Sequence, residues 1–112
     1  MIRWILDRFT DIEDFALRWR KDQDFPPVEQ CPCCDYVTLS MRGIDAICPV
    51  CFWEDDGQDI DRLDFRSGPN HGITLREGRE CFRKHGACEI DMLKHVVSVE
   101  DRADFEYRPR EL

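Results

Sequence analysis

Along the first thirty residues the apolar positions recur with a helical period. On a 3.6-residue wheel Ile2, Ile5, Leu6, Phe9, Ile12, Ala16 and Trp19 share one side, and Arg3, Asp7, Asp11, Asp14 and Arg18 fall on the other, which is the pattern of an amphipathic helix. Thr10-Asp11-Ile12-Glu13 has capping-box spacing, so the block reads as one helix or as two short ones. Pro26-Pro27 ends it and starts an extended connector. The period then switches to two. Val37, Leu39 and Met41 alternate with Thr38, Ser40 and Arg42, Arg42 to Asp45 reads as a turn, and Ala46-Ile47 as the return strand of a hairpin. Residues 52–70 read as loop. Thr74-Leu75-Arg76-Glu77 is a second capping box, and the helix it opens is expected to run to His85 with Gly86 as its C-cap. Leu75, Gly78 and Phe82 share one face of that helix, and Arg76, Arg79 and Arg83 gather on another. Asp91 to Val97 is a short apolar segment whose type the pattern leaves open, and Tyr107 to Leu112 reads as an extended tail. Ile5, Phe9, Ile12 and Trp19 are too many apolar groups to leave in water, so residues 1–30 are expected to pack on a domain spanning 31–112.

The cysteines give the hairpin its chemistry. Cys31-Pro32-Cys33-Cys34 and Cys48-Pro49-Val50-Cys51 are both C-P-x-C, with thirteen residues between Cys34 and Cys48. Two C-x-x-C pairs at this distance point to a four-thiolate zinc site. Two intervening residues let both sulfurs of a pair face one ion while turn N–H groups donate to the first sulfur. Proline after the first cysteine fixes φ for the turn. The expected ligands are Cys31, Cys34, Cys48 and Cys51, holding one structural Zn²⁺ per chain, with iron the chemical rival. Cys33 is left on the outside of the turn. Asp35 suits the left-handed conformation that follows such a pair. Phe52 suits it less, which predicts a distorted second turn. The fold class expected is α+β: a small zinc-ribbon β-hairpin core, an N-terminal amphipathic helix or two short helices, and a C-terminal helix.

Composition narrows the function classes. The chain has 112 residues, 24 acidic against 16 basic, for a formal charge of −8. Nucleic acid and anionic membrane are poor partners for such a surface, and a basic protein is a better one. No apolar run approaches the roughly 20 residues of a membrane span. The opening Met1 to Arg8 carries charge within its apolar stretch and lacks a signal-peptide core. A cytoplasmic location is expected, where thiols stay reduced and serve as metal ligands. Four thiolates leave no open coordination position, so no enzyme activity is expected. A set assembled from Cys81, His85 and Asp91 has no nucleophile signature, and Cys81 and Cys88 read as small buried hydrophobes. His71, His85 and His95 read as solvated or helix-end residues.

The acidic run behind the second pair is the expected partner surface. It comprises Trp53, Glu54, Asp55, Asp56, Asp59 and Asp61, with Phe52 and Phe65 at its edges, and aromatic anchors beside charge are a common form of protein-binding surface. Read as rim charges, Asp55, Asp56, Asp59 and Asp61 would alter association rate with little effect on stability.

These residues also carry a resemblance. Cys31-Pro32-Cys33-Cys34, Tyr36-Val37-Thr38-Leu39 and Ile47-Cys48-Pro49-Val50-Cys51-Phe52-Trp53-Glu54-Asp55-Asp56-Gly57 resemble the bacterial cysteine-rich CPCC domain family. The likeness continues through Gly68-Pro69-Asn70-His71-Gly72-Ile73-Thr74-Leu75, Gly78-Arg79 and Gly86-Ala87 to Arg108-Pro109 and Glu111. It covers about residues 31–111, and Gly78 stands where the pattern leads one to expect alanine. The resemblance implies a small bacterial cytoplasmic protein with rubredoxin-like or zinc-ribbon knuckles and no settled activity. Small bacterial proteins of this sort include antitoxins and immunity proteins. The expected function is therefore non-enzymatic: binding a basic protein partner, with an immunity protein or antitoxin neutralising a bacterial toxin as the sharpest version. The alternatives are a nucleic-acid-associated zinc ribbon working through Arg76, Arg79 and Arg83, and a thiol redox sensor at Cys33.

Overall fold

The expected strand forms, but with a different partner. A computed structural model describes residues 26–112; the N-terminal helix and its packing on the core lie outside the described residues. Strand β1 (Glu29–Gln30) pairs antiparallel with β2 (Val37–Leu39), Glu29 opposite Leu39 and Gln30 opposite Val37, with an irregularity between them. Ala46-Ile47 pairs instead with residues just beyond the second cysteine pair. Ile47 bridges Glu54, and Asp55 N donates to Ala46 O at 2.9 Å. The single hairpin expected over 37–47 is thus replaced by two narrow ones, each closing over its own C-x-x-C turn. Closing such short loops costs little chain entropy, and each closure settles the backbone of one knuckle at once.

β2 stops at Leu39. Val37 and Leu39 point inward as expected, but Thr38 is also buried and Met41 is 56% exposed. The tail supplies a further strand-like edge beside the first knuckle. Tyr107 bridges Tyr36, Val37 N donates to Glu106 O at 2.8 Å, and Arg108 N donates to Asp35 O at 3.0 Å.

The C-terminal helix follows its local signals. Helix α1 (Leu75–His85) has Thr74 as N-cap with both halves of the capping box, and Gly86 at φ 98° donates to Phe82 O as the left-handed cap. Only glycine adopts that φ without strain. Gly78 lies against the Trp53 ring: a Cβ there would stand 2.9 Å from Trp53 Cζ3 and 3.3 Å from Cys33 Sγ. The helix is therefore seated directly on the core of Cys31, Cys33, Leu39, Val50, Trp53, Leu75 and Cys88.

The segment between is ordered by short-range bonds. Asp59 caps a single 3-10 turn at Ile60–Arg62. The side chain of Asn70 clamps the Glu54 backbone, accepting from Glu54 N and donating to Glu54 O, both at 2.8 Å. The open segment near residues 91–97 is a 3-10 turn, Ile90–His95, and another follows at Glu100–Asp104. Cys88 N to Cys51 O at 2.8 Å and Val97 N to Pro49 O at 3.0 Å tie this C-terminal part to the second knuckle. Among the described residues no helix is long and apolar enough to cross a membrane.

Candidate metal centre

The two knuckles are built alike. Asp35 N donates to Cys31 O at 3.1 Å and Phe52 N to Cys48 O at 2.8 Å; Cys31 N donates to Tyr36 O at 2.8 Å and Cys48 N to Trp53 O at 3.0 Å. Asp35 and Phe52 both stand at φ 71°. The distortion expected at Phe52 is absent. Phe52 takes the left-handed conformation at a cost of about 1–2 kcal/mol, held by the knuckle bonds and by stacking on His95 at 5.0 Å between ring centroids.

These turns bring the sulfurs of Cys31, Cys34, Cys48 and Cys51 within 4.8 Å of one another. Each of the four residues is at most 3% exposed. Cys31 and Cys51 are 3.6 Å apart at sulfur, and Cys34 and Cys48 3.7 Å. A tetrahedron with metal–sulfur bonds of about 2.3 Å has edges near ~3.8 Å, so the spacing fits one four-coordinate ion. Backbone donors approach the sulfurs from outside: Cys33 N to Cys31 Sγ, Val50 N to Cys48 Sγ and Trp53 N to Cys51 Sγ, each at 3.4 Å. Thr38 Oγ1 adds a 3.1 Å contact to Cys48 Sγ, which accounts for its burial.

Burial pushes the thiols of Cys31, Cys34 and Cys51 above the ordinary cysteine value. At Cys48 burial acts the same way but is outweighed by hydrogen bonds from Cys31, Cys34, Cys51 and Thr38, which hold it below. Burial thus disfavours four thiolates together in this cluster. A divalent ion would supply the missing positive charge and displace the protons.

Cys33 stays out of the cluster, as the spacing predicts, yet it is not on the outside of the protein. It is 2% exposed beneath α1, beside Gly78. Cys88 is likewise buried, and burial raises its thiol well above the ordinary value, while Cys81 is half-buried. His71 pairs with Glu89 at 2.6 Å on the surface.

The acidic run has a different structural role from the one its composition suggests. Trp53 and Asp55 are fully buried, so no partner reaches them while the fold is intact. Asp55 accepts from Arg42 Nε at 2.8 Å and from Gly43 N at 2.8 Å. Asp56 accepts from Ser67 Oγ at 2.7 Å. Asp59 accepts from Arg42 Nη1 at 2.6 Å and from Arg110 Nη1 at 3.3 Å. Glu54 is half-buried, and of the six residues Asp61 alone is exposed.

Arg79 does not join Arg76 and Arg83. It turns inward to Asp35 at 2.8 and 3.0 Å, while Arg76 pairs with Asp64 and Arg83 with Glu80 at the surface. Asp35 also accepts from Arg110 Nε at 2.9 Å and Nη2 at 2.7 Å. Burial would raise the Asp35 carboxyl, but the bonds from Arg79 and Arg110 hold it below the ordinary carboxylate value. The result is one alternating chain, Arg79–Asp35–Arg110–Asp59–Arg42–Asp55, linking α1, the first knuckle, the tail and the acidic segment. Arg42, Arg110 and Thr38 carry no local motif, and their roles come from partners distant in sequence.

No curated protein and no solved structure matches the chain in comparison. A family model, described as Cysteine-rich CPCC, matches residues 29–103. That span contains both knuckles, the acidic segment, α1, the 3-10 turn Ile90–His95 and all but the last residue of Glu100–Asp104. The chain belongs to the cysteine-rich CPCC family.

Proposed function

We propose that the chain is a non-enzymatic protein that holds one structural zinc ion on Cys31, Cys34, Cys48 and Cys51 and acts by binding a basic protein partner. The observation that carries the metal reading is four buried cysteine sulfurs within 4.8 Å of one another. Four thiolates fill a tetrahedral ion and leave no position for a substrate or an activated water. The ion's role is to fix the two knuckles in their mutual register, so its binding energy is folding energy.

A reducing cytoplasm suits such a site, because an oxidising compartment would convert the thiols to disulfides. A divalent ion on four thiolates adds two negative charges to a chain already at −8. The resulting field favours encounter with a cationic surface. Within this reading the sharpest function is an immunity protein or antitoxin that covers the basic cleft of a toxin acting on nucleic acid or nucleotides. Glu54 and Asp61, with their neighbours on the outer edge of the acidic segment, are the groups left to meet it. The nucleic-acid alternative loses support from the dispersal of Arg76, Arg79 and Arg83 into separate ion pairs. Metal analysis of protein purified without chelator tests the first part, with one zinc per chain expected. Affinity capture from the native organism tests the second. A basic protein whose capture weakens with salt and with Glu54→Gln plus Asp61→Asn supports it; retention of nucleic acid instead overturns it.

A further inference from the structure

Beside the first knuckle, between α1 and the C-terminal tail, lies a cleft of about 480 Å³. That is within the range of about 300–1,000 Å³ typical of small-molecule sites. Its lining runs against the charge of the protein as a whole: four arginines, Arg79, Arg83, Arg102 and Arg110, to the single acidic side chain of Asp35. Arg79 and Arg110 are committed to Asp35, and Arg83 reaches out to Glu80.

Arg102 is different. Its guanidinium lies 4.8 Å over the Phe82 ring, and Nη2 donates to Gly86 O at 3.2 Å. Its Nε is buried without a hydrogen-bond partner, and among the described residues no carboxylate pairs with it. A buried guanidinium donor left unmade is costly, and a bound oxyanion is one partner that would complete it. One bond and a ring contact hold the side chain lightly. A swing away from Phe82 would present the Nε–Nη edge, which grips an oxyanion with two parallel bonds.

The walls around it are aromatic. Tyr36 lies 4.7 Å from Tyr107 between ring centroids, and edge-on to Phe82 at 6.4 Å. Stacking surfaces beside an unsatisfied guanidinium define a ligand with two parts. We propose that this cleft binds a small molecule in which a flat aromatic ring carries an oxyanion, a phosphate or a carboxylate. The oxyanion is held by Arg102 with help from Arg83, and the ring lies against Phe82, Tyr36 and Tyr107. The cleft abuts the first knuckle, with Cys34 in its wall, and touches the acidic segment only through Arg110 and its bond to Asp59; Glu54 and Asp61, the groups left to meet a protein partner, do not line it.

The test is a titration of the zinc-loaded, ¹⁵N-labelled full chain followed by NMR. The probes are phenyl phosphate and benzoate, with phenol and inorganic phosphate as single-feature comparators. Saturable shifts are expected at the Arg102 Nε–H signal and at the rings of Phe82, Tyr36 and Tyr107. At least one two-part probe should bind about tenfold or more tightly than either comparator. The preferred probe identifies the headgroup. Arg102→Gln should remove that gain while the remaining amide spectrum stays folded. If that variant unfolds through loss of its bond to Gly86, Arg83→Gln, at an exposed position, should still weaken binding measurably. No saturable shift up to ~10 mM probe, or inorganic phosphate or phenol binding as tightly as both two-part probes, would overturn the proposal. So would unchanged binding in folded Arg102→Gln.

Discussion

Replacing Asp55 by asparagine separates a structural acidic segment from a solvated one. The carboxylate is fully buried and accepts four hydrogen bonds. Oδ2 takes Arg42 Nε and Gly43 N, both at 2.8 Å; Oδ1 takes Arg42 Nη2 at 3.2 Å and Gly57 N at 3.1 Å. Whichever way an amide is placed, its NH₂ faces two donors and only two bonds survive. The loss comprises one charge-assisted bond, worth about 1.5–3 kcal/mol, and one backbone bond of about 1 kcal/mol. Removing one partner of a fully buried ion pair costs about 3–5 kcal/mol. Arg42, however, keeps Asp59 at 2.6 Å and Gln58 O at 2.7 Å, and its side chain is 24% exposed. The lower end of the range therefore applies, and Asp55→Asn should cost about 3 kcal/mol. For a domain of this size that is a fall in melting temperature of roughly 12 °C or more. The assay is thermal and urea unfolding at fixed free zinc, because bound metal shifts apparent stability. Asp61→Asn, at an exposed position, is the control and should stay within about 0.5 kcal/mol of wild type. If Asp55→Asn came within about 1 kcal/mol of wild type, the Arg42 clamp would not hold the segment and the reasoning would fail.

The other predictions concern the knuckles, the helix seat and one surface pair. Cys34→Ser should lose tight metal binding and much of the folding energy, whereas Cys33→Ser should keep both; metal content after gel filtration distinguishes them. Gly78→Ala gains about 1 kcal/mol of helix propensity but drives a methyl into the buried Trp53 ring, where overpacking costs about 1–3 kcal/mol. A net loss of stability in urea is expected, and a net gain would mean that α1 lifts off Trp53 at little cost. The hydrogen bond and charge of Glu89 raise His71 above its ordinary value, near ~6.5. The stabilisation from that pair should be complete below about pH 6.5 and disappear as pH rises through the raised midpoint. An NMR titration of His71 should give a midpoint above the ordinary value in wild type and a lower one in Glu89→Gln, where Asp91 and Glu54 still act.

What could be read from the chain followed the range of the signal. The helix caps at Thr74, Glu77 and Gly86 act within four residues, and they predicted α1 and both its ends. The convergence of Cys31, Cys34, Cys48 and Cys51 was legible because each C-x-x-C turn is a local device that turns its two sulfurs to one side. Strand pairing was misassigned because alternation at Val37 and Leu39 says which face is buried but not which segment lies alongside. Glu29–Gln30 and Ala46-Ile47 are both short enough to serve. The acidic segment was misread for a related reason. Composition shows Asp55 and Asp59 as surplus charge, and their neutralisation by Arg42 and Arg110 comes from residues 13 and 51 positions away. Trp53 reads from the sequence either as an interface anchor or as a ring packed beside the knuckle, and it is internal because Gly78 of α1 leaves room for its ring. Thr38 broke the strand pattern because it serves the Cys48 sulfur.

The central claim is that four particular sulfurs, and not Cys33 or a histidine, close around one zinc ion. Zinc K-edge X-ray absorption on protein purified without added metal or chelator addresses it most directly. One zinc per chain is expected, with a shell of four sulfurs at about 2.3 Å and no lighter scatterer, unchanged in Cys33→Ser. A shell containing nitrogen or oxygen near ~2.0–2.1 Å, iron in place of zinc, or no tightly bound metal in the folded protein would contradict it.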